Sequence, residues 1–582
     1  QEWKAFSDLG DYYFQLGQFE KAEEMQLRAV SLVESLRRQV GSDELRRHML
    51  RPALLPYERL VGLYHNGNQD PAAAFVTSER SRAQILAGRL HAALAHDSGK
   101  PLRTTDPEER DLAATITFLQ SRLQGNNLNQ AVRDSLRDQI AKLENDFSLL
   151  KLRWSADEGA DATVLFPETP RVEQLLAVLN PGEHLLSYFM GTDQSYLFSV
   201  NRSGIKAYSL PPRRLLEEKI HRFLRLQQKS LSGNGGIPES VLATARQKLY
   251  AILVGPAASD FSGKSTLVIV PDGIMHSLPF AYLNDGKNFL FEKHETFTAP
   301  SLQTLGFLRQ RFEGKATPEG KLPNSVIAIG CSGAGGEIPE NSERLHPFTD
   351  APIPPLPSVE DEAWRLAGLF DNSRVLTGDS ADEGTIRSGV LEDASIIHIA
   401  AHSYADEVDS RRSYILLNRG GGAAGDSSIH DGLLLWHEIV ALNLNASLTT
   451  LASCRSAGGV LISGEGVMGL TQAFLYAGSR CVLASQTNVS DVATSWFMDR
   501  FYRKLRTGST AAEALRAVRL AVLEENGSCG QLFPETGFIL TGDGTTTYTE
   551  VSSPRKLSIQ FAGAAVFLLL VFLIATRKPR QK

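Results

Sequence analysis

The sequence predicts an α/β protein built on a mostly parallel sheet, with an all-α region before it and a membrane-spanning helix after it. From about residue 180 to 545, strand-like apolar runs alternate with amphipathic helical stretches. That alternation implies parallel strands covered by helices on both faces. Residues 1–154 instead carry apolar and small side chains at helical spacing. Residues 557–576 (LSIQFAGAAVFLLLVFLIAT) hold no charge over 20 positions, between Arg555-Lys556 and the basic Arg577, Lys578, Arg580 and Lys582. A helix rising 1.5 Å per residue needs about 20 apolar residues to cross a bilayer.

The elements follow in chain order. Leu9-Gly10, Tyr13, Gly17, Ala22 and Ala29 fall at the spacings of one tetratricopeptide repeat, with Gln26 where phenylalanine is expected. Residues 1–107 are therefore expected to form tetratricopeptide-like helical repeats. A single repeat cannot bury its own face, so repeats are expected upstream of Gln1, in a processed form or a fragment. Residues 108–155 predict a helical hairpin turning at Gly125-Asn126-Asn127, with Leu119, Leu123, Leu136, Ile140 and Leu143 on its apolar face. Periodicity then changes to strands over 184–189 and 195–200, a helix from 213, and strands over 266–270 and 325–329. Four prolines within 352–357 divide the α/β region into parts at 160–350 and 351–545. The second part carries strands ending at His402 and Cys454, a strand over 480–485, and a helix opened by a Thr510/Glu513 capping box.

Composition narrows the function classes. A net charge of −6 over 582 residues, with no basic stripe, argues against nucleic-acid binding. Four scattered cysteines (Cys331, Cys454, Cys481, Cys529) give neither a disulfide framework nor a metal-binding pair, and no cofactor is expected. Gly263-Lys264-Ser265-Thr266 resembles the end of a phosphate-binding loop, but Ala258 stands at the required first glycine and the run precedes a strand. His398 and His402 sit four residues apart on a strand, roughly 13 Å, which does not chelate one metal. His398 is expected to be a core residue, and Gly330-Cys331-Ser332-Gly333 a glycine-rich loop after a strand.

A histidine and a cysteine ending neighbouring buried strands would share one rim, where open α/β folds present their sites. Thiol and imidazole within reach suffice for covalent acyl transfer.

HIAAHSYAD (398–406) and LTTLASCRSAGG (448–459) resemble the histidine and cysteine motifs of CHAT domains, caspase-like domains found with tetratricopeptide repeats. The segment GEGVMGLTQAFLYAGSRCVLAS, VIVPDGIMHSLPFAYL (268–283) and LPSVEDEA (356–363) resemble further blocks of that family. The resemblance implies a caspase-hemoglobinase fold whose catalytic half is 351–545 and whose 160–350 half is degenerate. It implies a bacterial-type cysteine endopeptidase with His402 and Cys454 as its dyad. The backbone N–H groups of Ser403 and Cys454 would hold the oxyanion, and Glu465 and Asp491 would flank the substrate pocket. The sequence departs from the family pattern at Ser403 (usually Gly), at Ala452-Ser453 (usually Ser-Ala) and at Thr487 (usually Trp). The rival reading is an inactive caspase-like scaffold at a membrane. Expected partners are a protein substrate, a regulatory protein on the repeats, and a membrane through a single-pass C-terminal anchor of undecided orientation.

Overall fold

The computed structural model describes residues 2–39, 54–96, 170–231, 237–313, 325–332, 355–418, 432–526 and 537–548 (262, 264, 408, 409 and 463 excepted), with isolated positions between 119 and 143. The hairpin expected over 108–155 and the apolar run 557–576 lie outside the described residues, isolated helical positions such as Leu119 and Leu136 apart.

The N-terminal helices open with the pair Glu2–Gln15 and Phe19–Gln39. A Cβ on Gly10 would stand 2.7 Å from Gln26 Nε2, so the pair packs at the contact the small residues anticipate. Gln26 is buried yet satisfied, because Ser7 Oγ donates to its Oε1 at 2.9 Å and its Nε2 donates to the Ser7 carbonyl at 2.8 Å. Helices Leu55–Gly62, Pro71–Arg80 and Gln84–His96 then lie directly against the α/β body. Tyr57, Leu60 and Phe75 join its core on one face, and Leu86 and Leu90 join it on the other.

Sixteen described strands follow: β1 Glu183–Phe189, β2 Ser195–Asn201, β3 Gly204–Leu210, β4 Thr266–Val270, β5 Glu295–Thr298, β6 Val326–Cys331, β7 Ser373–Thr377, β8 Ile396–Ala401, β9 Ser403–Tyr404, β10 Tyr414–Leu416, β11 Leu433–Leu435, β12 Leu448–Leu451, β13 Val460–Ile462, β14 Gly466–Met468, β15 Cys481–Ser485 and β16 Phe538–Gly542. Eleven of them form one sheet in the order β3-β2-β1-β4-β5-β16-β15-β12-β8-β6-β7. β16 closes the gap between the two halves, parallel to β5 and antiparallel to β15. β1, β4 and β5 therefore run opposite to β15, β12, β8, β6 and β7. β6, which the prolines had separated from the later strands, pairs with β7 and β8.

Alternating residues of the buried strands supply two faces, as a period of two requires. In β8, Ile396 and Ala400 join one core cluster, whereas Ile397, Ile399 and Ala401 join another. The first cluster extends across both halves of the sheet beneath the N-terminal helices and the helices Asp491–Arg506 and Ala511–Asn526. Opposite it, the two halves have separate clusters. The Thr510/Glu513 box is present: Thr510 N–H donates to Glu513 at 2.9 Å and Glu513 N–H donates to Thr510 Oγ1 at 3.1 Å.

The membrane expectation is corrected. Among the described residues no helix is long and apolar enough to cross a membrane. The physical reason is coverage. Long helices such as Phe19–Gln39 and Arg213–Leu231 bury one stripe and keep the other charged, as helices packed on one side must. The C-terminal anchor, the membrane partner and the membrane localisation are not carried further.

Candidate active site

β8 and β12 are adjacent and parallel, with Leu448 opposite Ile396 and Leu451 opposite Ile399. The register offset is 52 (448 minus 396), and His402 and Cys454 differ by the same number. His402 directly follows β8 and Cys454 lies three residues beyond the end of β12, on strands about 4.8 Å apart. Both residues are half-buried at the rim. Strand register sets the C-terminal ends of β8 and β12 next to each other on one rim.

The loop after β12 is held from several sides. Ala452 N–H donates to the Ile399 carbonyl at 2.9 Å, Arg455 N–H to the Thr487 carbonyl at 2.9 Å, and Ala457 N–H to the Ser485 carbonyl at 2.8 Å. Arg455 takes φ +47°, a left-handed conformation uncommon for a side chain of its size. That bend turns the chain back immediately after the sulfur. Val489 N–H points at Cys454 Sγ from 3.4 Å, and the Val489 carbonyl lies 3.5 Å from it.

Ser403 Oγ donates to the Cys454 carbonyl at 3.0 Å. Leu416 N–H donates to the His402 carbonyl at 2.8 Å, so His402 and Leu416 form the hydrogen-bonded pair of the β9–β10 ladder. The next pair, Ser403 opposite Ile415, is then the non-bonded one, and the Ser403 N–H turns away from β10.

The other expected pocket residues lie farther along their elements. Asp491 is the first residue of the helix Asp491–Arg506, two positions after Val489. Glu465 is buried in the turn joining β13 to β14, beside Gly464, whose carbonyl accepts Ala83 N–H at 2.6 Å. The short arms of this hairpin, Val460–Ile462 and Gly466–Met468, hold its tip roughly 10 Å from its base. The base is close-packed: a Cβ on Gly459 (φ +152°) would stand 2.3 Å from the Met468 carbonyl. Gly459→Ala is expected to destabilise by about 1–3 kcal/mol and to speed hydrogen exchange across 460–468 first. Unchanged protection there would show that the hairpin does not depend on this approach.

His398 is a core residue, as expected. It is fully buried, with Nε2 at 2.9 Å from Glu362 Oε1, an ion-pair distance without hydrogen-bond alignment, and Nδ1 at 3.3 Å from Tyr502 Oη. Cys331 is buried at the end of β6 with Sγ 3.4 Å from Asn418 Oδ1, inside the strand rather than in the loop expected of it. Cys331→Ala is therefore expected to leave any thiol-dependent activity unchanged.

Sequence reasoning gives no role to His276, although it falls within the segment 268–283. Its ring lies against Gly466 (2.9 Å from a Cβ built there), and its carbonyl accepts Gln486 Nε2 at 3.1 Å. Burial pushes its pKa down to about 4, with Asp272 opposing and Arg82 reinforcing. No spacing in the sequence connects 276 with 466 or 486.

Known proteins share parts of this chain. Tetratricopeptide repeat protein 28 of Mus musculus is 24% identical over 372 residues, and that of Homo sapiens 23% over 364. Each comparison covers 56% of this chain but only 14% of the relative's length. These relatives are mammalian and give no support to the bacterial expectation, which is withdrawn. The separase–securin complex of Saccharomyces cerevisiae matches at 11% identity and a TM-score of 0.43, over 90% of this chain and 37% of that one. Residues 243–543, more than half of the sequence, match the CHAT domain, and the chain belongs to that family.

Proposed function

We propose that the chain is a cysteine endopeptidase in which Cys454 is the nucleophile and His402 the general base. The parallel pairing of β8 and β12, whose C-terminal ends lead into His402 and Cys454, supports this reading. His402 takes the thiol proton as sulfur attacks a peptide carbonyl, forming a C–S bond and an oxyanion. The oxyanion lies against the N–H groups of Ser403 and Cys454. Collapse breaks the C–N bond, with the proton passing from His402 to the leaving amine, and water then hydrolyses the thioester. Asp491, at the start of the helix after the Ser485–Val489 segment, and Glu465, in the hairpin turn, would shape the substrate pocket from either side.

An acyloxymethyl-ketone probe tests the assignment, since it alkylates an activated thiol held beside an imidazole. Labelling at Cys454 that falls in His402→Ala is the expected result. Equal labelling in both proteins, with no cleavage of any protein substrate, would favour the inactive scaffold.

We further propose that a protein bound to the repeats regulates the site. The names of the mammalian relatives are consistent with a repeat module. The helix Pro71–Arg80 and the turn after it support it: Glu79 Oε2 accepts the N–H groups of Leu302 and Gln303 at 2.7 and 3.2 Å, and Ala83 N–H reaches the hairpin at Gly464. Motion of the repeats would then be felt at β13–β14 and at the Gly458-Gly459 end of the Cys454 loop. Deleting residues 1–107 would not test this, because Phe75, Leu86 and Leu90 belong to the core. Gly464→Ala does: at φ +85° its Cβ would stand 2.9 Å from the Ser81 carbonyl. Its peptidase rate is expected to differ from that of the parent, whereas an identical rate would make the repeats a tether only.

A further inference from the structure

Away from the dyad, a buried cation faces a small cavity. Arg519, on the helix Ala511–Asn526, is 3% exposed. Its Nη2 donates to the Phe538 carbonyl at 2.7 Å and its Nη1 to Thr296 Oγ1 at 3.3 Å. The Tyr282 ring lies 5.5 Å away. No carboxylate among the described residues pairs with it; the Tyr282 side chain hydrogen-bonds the guanidinium, and Nε is left without a partner. A guanidinium stays charged when buried, and no anionic side chain among the described residues compensates it.

The cavity that Arg519 lines also has Tyr282, Thr296, Phe538 and Gln486 on its walls. Gln486 contributes a second unanswered group, its buried Oε1. The amide is oriented by Nε2, which donates to the His276 carbonyl, so the oxygen is the free end. The volume is about 30 Å³, against about 10–15 Å³ on the same measure for one water. A few heavy atoms fit.

The two orphaned groups ask for different things. Arg519 calls for negative charge and an acceptor, and Gln486 Oε1 calls for a donor. A halide offers no donor, and water offers no charge. We infer that this cavity binds a small oxyanion that retains one O–H, of bicarbonate size and chemistry, with its charge on Arg519 and its hydroxyl donated to Gln486. Bound there, it bridges the helix under the β5–β16 joint to the segment Ser485–Val489. Residues 485, 487 and 489 of that segment hold the loop around Cys454. The inference does not depend on peptidase activity.

Thermal unfolding of the full chain in bicarbonate, nitrate and chloride, at matched pH and ionic strength, tests it. A saturable rise in midpoint with bicarbonate is expected, clearly larger than with nitrate, which has similar shape and charge but no O–H. Chloride should give none, and Arg519→Gln should abolish the bicarbonate effect. A bicarbonate response equal to that with nitrate, or one retained in the variant, would overturn the inference. If the variant does not fold, crystals grown in bicarbonate decide. Planar density within hydrogen-bond reach of Arg519 Nε supports the site, and ordered water alone overturns it.

Discussion

Cys454→Ala is expected to abolish peptidase activity, by about 10⁴-fold or more, because a covalent route without its nucleophile keeps only the contribution of binding and the oxyanion site. The fold should survive. Cys454 is half-buried, its sulfur contacts the backbone of Val489, and the loop is fixed by backbone bonds through Ala452, Arg455 and Ala457. His402→Ala should lose activity to a similar extent while keeping the same unfolding midpoint. Cleavage of a protein substrate followed by mass spectrometry of new N-termini measures this. Comparable turnover by purified Cys454→Ala protein would remove the assignment, and a lowered midpoint would mean that the residue is structural.

Asp543→Ala should produce the largest loss of stability. The carboxylate is fully buried at the end of β16, where the two half-sheets meet. Its Oδ2 accepts Arg480 at 2.6 and 2.9 Å, and its Oδ1 accepts Arg309 at 3.1 Å and Thr545 Oγ1 at 2.7 Å. Arg309 also pairs with Glu183 at 2.6 Å, so the network joins β1, β15 and β16. Removing one member of a buried pair costs about 3–5 kcal/mol, because the remaining charge stays buried. Urea midpoints compare the two proteins, and a loss below about 1 kcal/mol would show that water or relaxation replaces the network.

The same carboxylate sets an acid limit. Burial alone would raise its pKa, but Arg480 and Arg309 outweigh burial and hold it at about 2, below its ordinary 3.8. A depressed folded-state pKa contributes stability that is complete above the unfolded value and is lost as pH falls through the folded one. The difference between parent and Asp543→Ala should therefore be constant above about pH 4 and shrink toward pH 2. A difference independent of pH over that range would assign the effect to packing.

The two motifs at 398–406 and 448–459 were legible because buried parallel strands read as continuous apolar runs that end on chemically distinctive residues. The buried role of His398 and the Thr510/Glu513 cap were legible for the same reason, since a local pattern expresses each. By itself the sequence determined the α/β class, the helical start, the candidate nucleophile and base, and the family to which they belong. It could not determine that β16, from the end of the α/β region, inserts between β5 and β15, because strand order is decided by long-range pairing. Nor could it place Ala83 on Gly464, His276 on Gly466, or Arg519 beside Gln486, contacts between segments with no shared periodicity. The apolar run at 557–576 marks the opposite limit, for hydropathy alone does not place a helix. Only tertiary structure decided which sheet rim β8 and β12 open onto and which hairpin follows the Cys454 loop, because register and close packing are properties of paired segments rather than of either segment alone.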